Sequence, residues 1–498
     1  MKSWAGSIAS LQQGTRIVPP LSLFNTASAS IEAVEEKELY RLYVCGITPY
    51  DATHLGHAST YVAFDLINRY LRFAGARVRF VENITDIDDP LLERARRDQV
   101  DWQDLAHSQI ELFRGDMVAL RVLPPDHYIG VVEAMDEIIS SILALQAKGS
   151  LYFVDDDLYF RVRLDPDFLT RSHISLETAL SFFSERGGDP GREGKEDPLD
   201  ALVWRAQREG EPGWPSPFGI GRPGWHIECS AIALHFLEPD PHENFAIDIQ
   251  GGGSDLIFPH HDMSAAQGVI ATGQKFARFF VHAGMIGLDG QKMSKSLGNS
   301  LQVAELLKSV RGIELRWYLG GAHYRSMLEF SMGALEESAI AFRRIESFLQ
   351  RSVEILGTEP TPVVNATFAA AMNDDLAVPT ALAGISESLR LGNTAITDGD
   401  KKAIAQHANE IRGALEVLGC DPFDSVFAQS GATDLTAALD GTIKLALAQR
   451  TAARERKDFA ASDAIRDGLA ALGISIEDTA QGPRWSMTSN ATPTEGSK

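Results

Sequence analysis

Between Tyr40 and Thr85 the spacing of apolar and polar positions changes twice. Tyr40 to Cys45 runs Y-R-L-Y-V-C, which predicts a strand, and Gly46 ends it. From His54 to Ala74 the side chains Ala58, Tyr61, Val62, Leu66, Tyr70 and Leu71 recur at helical spacing, with Gly75 as the stop. Arg77 to Thr85 then predicts a second strand. Strand, turn, helix, strand is one unit of a parallel α/β sheet, because parallel neighbours require a crossover.

Downstream the pattern loosens. Residues 110–215 read as an insertion, partly helical, with a turn-rich stretch from Glu185 to Pro198. Strand patterns return at Phe245–Gln250 and Phe279–Ile286 and are expected to complete the sheet. After Gly298 the period is helical almost to the end, most clearly over 327–352 and 400–418. A last unit over 440–487 holds a helix, Gly473 and a short I-S-I-E-D strand. Residues 1–36, rich in Ser, Ala and Pro, are expected to form an irregular arm. The expected division is an arm over 1–36, an α/β domain over 37–310 carrying the insertion, a helical domain over 311–425, and a small unit with a polar tail over 426–498.

Composition narrows the class. Hydrophobic residues make up 44% and charged residues 23%, the balance of an ordinary globular enzyme. There is no apolar run of about 18 residues, the length that a transmembrane helix needs. Met1 to Leu21 lacks the basic patch and apolar core of a secretory signal, so a cytoplasmic location and no membrane partner are expected. Three scattered cysteines, Cys45, Cys229 and Cys420, are too few for a disulfide framework and read as free thiols or metal ligands. A net charge of −22 argues against a large nucleic-acid surface, since phosphates are neutralised by Lys and Arg. A local basic face is still compatible with it.

Two stretches carry phosphate chemistry. In Cys45-Gly46-Ile47-Thr48-Pro49-Tyr50-Asp51-Ala52-Thr53-His54-Leu55-Gly56-His57, two imidazoles flank a glycine where a strand gives way to a helix. Free N–H groups and the helix dipole favour an anion there. In Lys292-Met293-Ser294-Lys295-Ser296, glycines on both sides make a loop whose lysines can swing onto a pyrophosphate. Together these stretches resemble the HIGH and KMSKS signatures of class I aminoacyl-tRNA synthetases. The resemblance implies an α/β, Rossmann-like catalytic domain with an insertion, followed by a C-terminal helical domain. It also implies ATP with Mg2+, and catalytic roles for His54, His57, Lys292 and Lys295. Adenylate contacts are implied at Cys45, Gly46, Ile47, Thr48, Thr60, Asn83, Ile84, Thr85, Trp225, Gly253, Ser254, Asp255 and Ile286. A plain turn residue is the alternative reading for Asp255.

Cys229 lies in G-W-H-I-E-C and His260 in F-P-H-H-D, and both are far from Cys45 in the chain, so spacing alone does not join the three. A buried free cysteine is ordinarily a small hydrophobe, which is the reading kept for Cys420. The sequence resembles the cysteine-type members of the family, in which these positions bind one zinc ion per chain. His261 stays open as an alternative to His260. Three protein ligands leave one tetrahedral position, and a cysteine substrate can take it as thiolate because soft sulfur suits zinc. Serine would bind poorly there and alanine not at all, so discrimination needs no editing domain.

Two branches of that family share cysteine activation. One is cysteinyl-tRNA synthetase. The other is the ligase of mycothiol biosynthesis, which joins L-cysteine to the amine of glucosaminyl-inositol. Several stretches resemble the ligase branch: Met1-Lys2-Ser3-Trp4, the C-G-I-T-P-Y-D run, Asn83 to Pro90 with its proline, Glu185-Arg186-Gly187-Gly188-Asp189-Pro190, and His282 to Gly287. Ser264 stands where the tRNA enzymes usually carry a glutamate ligand. The stretches Arg454 to Ala460, Ile476 to Trp485 and His323-Tyr324-Arg325-Ser326 resemble the tRNA enzymes instead. The expected activity is ATP-dependent ligation of cysteine to glucosaminyl-inositol through cysteinyl-AMP, with tRNA(Cys) charging as the alternative.

Overall fold

Among the described residues, five parallel strands form the central sheet: β1 (Leu39–Val44), β2 (Arg77–Ile84), β3 (His127–Gly130), β4 (Phe245–Gly253) and β5 (Lys275–Ala283). The computed structural model describes residues 1–4, 6, 20–51, 53–288, 291–292, 301–424, 441–472, 474–479 and 482–487. The spatial order is β5-β4-β1-β2-β3, all parallel. The chain therefore reverses direction across the sheet beside β1. In open α/β sheets such a reversal leaves a crevice at the carboxyl ends of the flanking strands, here β1 and β4.

Helix α1 (Leu55–Phe73) makes the first crossover and is buried along most of its length. It lies close on β4: a Cβ at Gly251 would be 2.3 Å from the Phe64 ring, so only glycine admits the helix at that height. Helices α2 (Trp225–Leu237) and α3 (Asp262–Thr272) cover the sheet near the far half of the crevice. The expected insertion over 110–215 is drawn too wide. Its first part belongs to the main sheet, because H-Y-I-G at 127–130 pairs with β2 through Val81↔His127 to Ile84↔Gly130. Four residues are too short to show a period. The inserted part is an antiparallel sheet of Leu151–Val154, Asp157–Phe160, Ala201–Ala206 and Gly221–Pro223, with the helix Leu176–Glu185.

The expected irregular arm is partly regular. Ser22–Asn25 pairs antiparallel with Ser30–Ala33, and the Thr26 N–H donates to the Phe280 carbonyl of β5 at 2.8 Å. Small residues and Ala29 at φ 53° close that hairpin. Trp4 is buried, and its indole donates to the Val122 carbonyl at 2.8 Å. Residues 7–19 lie outside the described residues.

After the sheet, Leu328–Phe330 pairs with Ile286–Leu288, and the helix expected from 327 begins only at Met332. Helices Gly312–Gly321, Met332–Leu356, Ala366–Asn373, Val378–Asp398 and Lys401–Leu418 follow. The chain divides into two compact units, Met1–Asp421 and Pro422–Lys498. The second holds a helix over 441–455, the helix Phe459–Ala471, and an antiparallel pair of Ile474–Thr479 with Gly482–Met487. Its small core gathers Ile443, Leu447 and Ile474. No described helix is long and apolar enough to cross a membrane.

Candidate active site and metal centre

The carboxyl ends of β1, β2 and β4 are tied together by short hydrogen bonds that set the floor of the crevice. Asn83 at the end of β2 accepts from the Gly46 N–H at 2.9 Å and from the Tyr43 hydroxyl at 3.0 Å. The Thr85 N–H donates to the Ile47 carbonyl at 3.0 Å, and the Cys45 N–H to the Gly251 carbonyl at 3.1 Å. Gly46 is required by this closeness, since a Cβ there would lie 1.6 Å from the Asn83 carbonyl oxygen. Thr48 follows in the same loop, half-buried, beyond the strand end.

Cys45 just past β1, Cys229 from α2 and His260 from the turn before α3 converge at the bottom of this floor, all buried. Their ligand atoms lie within 4.8 Å of one another. The two Sγ atoms are 3.9 Å apart, and His260 Nε2 is 3.1 Å from Cys229 Sγ. A tetrahedral site with bonds of about 2.3 Å to sulfur and about 2.0 Å to nitrogen has edges of about 3.5–3.8 Å, near the 3.9 Å and 3.1 Å separations here, so the donor set is compatible with a metal ion. Among the described residues no fourth His, Cys, Asp or Glu joins the group. Ser264 is turned to the backbone, its hydroxyl donating to the His226 carbonyl at 3.0 Å.

His261 takes a different place from its neighbour. Its Nε2 is 3.2 Å from Cys45 Sγ, and its Nδ1 is 2.8 Å from His282 Nε2. His282 in turn meets the Thr26 hydroxyl at 2.7 Å. Gln250 donates to Cys45 Sγ at 3.4 Å, and Trp225 stacks on His260 with centroids 4.2 Å apart. Burial pushes the Cys45 thiol up, reinforced by the hydrogen bond to Cys229. For Cys229 burial acts in the same direction, but the Cys45 thiol and the His260 imidazole outweigh it and hold this group well below its usual value. One sulfur is thus predisposed to be a thiolate, the form that binds a metal.

On the opposite side of the loop, His54 caps the start of α1. Its Nδ1 accepts from the His57 N–H at 3.3 Å, and the two rings stack at 3.8 Å. The Thr60 hydroxyl donates to the Gly56 carbonyl at 3.2 Å. A side chain at Gly253 would meet Asp255 Oδ1 at 2.6 Å and Thr60 Oγ1 at 3.9 Å, so Thr60, Gly253, Ser254 and Asp255 gather beside the helix start. The segment after the lysine loop returns to the same turn. The Leu55 N–H donates to the Leu301 carbonyl at 2.8 Å, and the Val303 N–H to the Thr53 carbonyl at 3.3 Å. Before that loop, Ile286 is buried and pairs with Leu328. Lys292 is described only in its backbone, where Gly287 pairs with it, and Lys295 lies outside the described residues.

The family model for the class I (C) tRNA synthetase catalytic domain matches residues 30–340. The chain belongs to the cysteine-type class I synthetase family. A second model, the anticodon-binding domain of cysteinyl-tRNA ligases, matches residues 436–485. A relative from Thermomonospora curvata, named L-cysteine:1D-myo-inositol 2-amino-2-deoxy-alpha-D-glucopyranoside ligase, is 47% identical over 84% of this chain and 99% of its own. A cysteine–tRNA ligase from Streptomyces avermitilis is 43% identical over 90% of this chain and 94% of its own. Among solved structures, methionyl-tRNA synthetase of Mycobacterium tuberculosis shares the fold with a TM-score of 0.56 at 19% identity, over 77% of this chain and 90% of that one.

The family motifs leave out the groups that surround the sulfurs and imidazoles of this synthetase. His226, Gln250 and His282 all contact the cluster or its neighbours, yet the resemblance assigns none of them a role. Their one sequence signal is position: each stands within or beside a motif at the end of a strand or the start of a helix. His282 carries a testable consequence. Burial lowers its pKa from 6.5 to about 3. Folding therefore favours the neutral ring, so this stability is full above about pH 6.5 and is lost progressively as pH falls toward 3. Urea unfolding between pH 7 and pH 5 is expected to show a falling midpoint, with a shallower fall in His282→Gln. Equal slopes for both proteins would rule the assignment out.

Proposed function

We propose that this synthetase activates L-cysteine with ATP and passes the cysteinyl group to the amine of glucosaminyl-inositol. The cysteine part rests on one observation above all: two cysteines and a histidine converge, no fourth His, Cys, Asp or Glu joins them among the described residues, and Ser264 donates to the backbone instead. The identity to relatives named as the sugar ligase supports the acceptor.

In this reading ATP lies at the start of α1, with His54 and His57 donating to its phosphates and Mg2+ accompanying it. Lys292 and Lys295 steady the pyrophosphate, and Asp255 with Thr60 borders the ribose and adenylate. Cys45, Cys229 and His260 would hold a zinc ion, which would supply a Lewis acid for the substrate sulfur. Thr48, Thr85 and Trp225 orient the ammonium and carboxylate, and Gly46, Ile47, Asn83, Ile84, Gly253, Ser254 and Ile286 line the adenylate. A carboxylate oxygen attacks the α-phosphorus, giving cysteinyl-AMP and releasing pyrophosphate. The free amine of the sugar then attacks the cysteinyl carbonyl, the amide forms, a proton is lost and AMP departs. Holding both reactants in one crevice contributes up to about 7–11 kcal/mol in well-oriented cases.

The test is AMP release at fixed ATP and cysteine, with glucosaminyl-inositol compared against tRNA. The sugar is expected to raise the rate at least about tenfold, the size of one well-made acceptor interaction. Stimulation by tRNA alone would favour charging of tRNA(Cys), the second reading that the C-terminal match supports.

A further inference from the structure

The element Glu185-Arg186-Gly187-Gly188-Asp189-Pro190 joins the insertion to the crevice, and its geometry follows from its composition. Arg186 caps the helix Leu176–Glu185, and Gly187 takes the left-handed turn at φ 86°. The Gly188 N–H then closes the helix on the Phe183 carbonyl at 2.8 Å, the bond of a Schellman end. A Cβ at Gly188 would be 2.4 Å from the Phe183 ring, while a side chain at Gly187 would meet open space but be strained by its positive φ. Asp189 anchors the far side: Lys195 Nζ is 2.9 Å from its Oδ1, and the Tyr159 hydroxyl donates to its Oδ2.

With the backbone fixed at both ends, the Arg186 side chain reaches over Phe182, its guanidinium 4.7 Å from the ring centroid. Its Nη1 donates to two carbonyls of another segment, those of Asp255 and Phe258. That segment needs an outside donor. Phe258 is extended at φ −140°, ψ 139° inside an otherwise helical turn, so its carbonyl is displaced from the local ladder. Asp255 begins the side of the turn that borders the nucleotide. Phe258 stands two residues before His260 of the metal group.

We propose that Arg186 is a positioning residue for cysteine activation, one guanidinium holding the Asp255 and His260 ends of this turn in register from the insertion. The inference rests on the cysteine-activating reading above. One nitrogen bridging two carbonyls couples the nucleotide side and the thiol side, so its loss must weaken both together. Lysine keeps the charge but lacks the planar fork that rests on Phe182.

The experiment is cysteine-driven ATP–pyrophosphate exchange by the full chain, measured for the parent protein, Arg186→Gln, Arg186→Lys and Asp189→Asn, with zinc content and melting temperature recorded. Arg186→Gln is expected to raise KM for both ATP and cysteine by between about tenfold and a hundredfold, the loss of binding made in ground and transition states alike, with a smaller change in kcat. Arg186→Lys should recover part of both KM values, and Asp189→Asn should shift them in the same direction by less. A purely structural role would lower the melting temperature and the active fraction but leave both KM values within about twofold of the parent. That outcome, in the glutamine variant or in the lysine variant should the former not fold, overturns the proposal. A parent protein without exchange would instead refute the activation reading.

Discussion

Replacement of Cys229 by alanine is expected to strip the metal and lower cysteine-driven exchange by at least about 1000-fold, or roughly 4 kcal/mol at 1.36 kcal/mol per tenfold. Cys229 holds the middle of the group, with Cys45 Sγ at 3.9 Å on one side and His260 Nε2 at 3.1 Å on the other. It is also the sulfur whose surroundings favour the thiolate, so its removal takes away both a ligand and the group's negative charge. The remaining thiol and imidazole make a two-ligand site, too weak for a structural or substrate-binding zinc. The fold is expected to persist, because α2 is anchored by Ile227, Ala231, Ile232 and Leu237 as well. Metal analysis, exchange kinetics and circular dichroism of the same preparation separate these effects. Any residual exchange should also lose its preference for cysteine over serine. Normal metal content with normal exchange would place the thiol-selecting centre elsewhere.

How far such a site can be read from sequence depends on which interactions are local. The strand, turn and helix around Cys45 to His57 are local, and their periods foretold β1, α1 and β2 within a residue or so. The short strand β3 was hidden in the expected insertion, since four residues between two helices carry no period of their own. The hairpin in the expected arm was hidden for the opposite reason: its small residues resemble linker composition, and its pairing is completed by Phe280 of distant β5. The Cys45, Cys229 and His260 group could be named only by resemblance, because 184 residues separate its two sulfurs and only the sheet reversal brings them together. Resemblance likewise pointed to Glu185–Pro190, but gave no role for Arg186, whose partners are backbone carbonyls and leave no trace in sequence. His261 shows the finer limit. It and His260 are adjacent and chemically identical, and only the turn before α3 directs one to Cys229 and the other to Cys45 and His282.

Asp65→Asn is expected to destabilise the first unit by about 3–5 kcal/mol, the usual cost of removing one partner from a buried ionic group. Asp65 lies on α1, buried, with Oδ2 at 2.6 Å from Arg69 Nε and 2.5 Å from Arg316 Nη2. Its Oδ1 accepts from the Leu123 N–H at 2.7 Å. The two guanidinium groups are fixed independently, since Arg316 donates to the Leu418 carbonyl at 2.8 Å and Arg69 to the Arg121 carbonyl at 2.7 Å. Asparagine keeps the shape but leaves two buried cations facing each other without a counter-charge. Burial alone would raise the Asp65 pKa; the charges of Arg69 and Arg316 and the Leu123 N–H reverse this and hold it below 3.8. The carboxylate therefore stabilises the fold fully above about pH 4, and this contribution is lost as pH falls through the lowered pKa. Urea unfolding from pH 7 to pH 3 should show the parent's advantage over the variant beginning to shrink below about pH 4. In the proposed reading the effect reaches function, because His54 and His57 stand at the start of α1, about 16 Å and about 12 Å along the helix from Asp65 at 1.5 Å per residue. A helix no longer clamped by Arg316 should hold those imidazoles less firmly, so KM for ATP should rise in the variant at temperatures where it is still folded. A loss of less than about 1 kcal/mol would mean that the two arginines find water or other acceptors, and that the clamp on the nucleotide helix lies elsewhere.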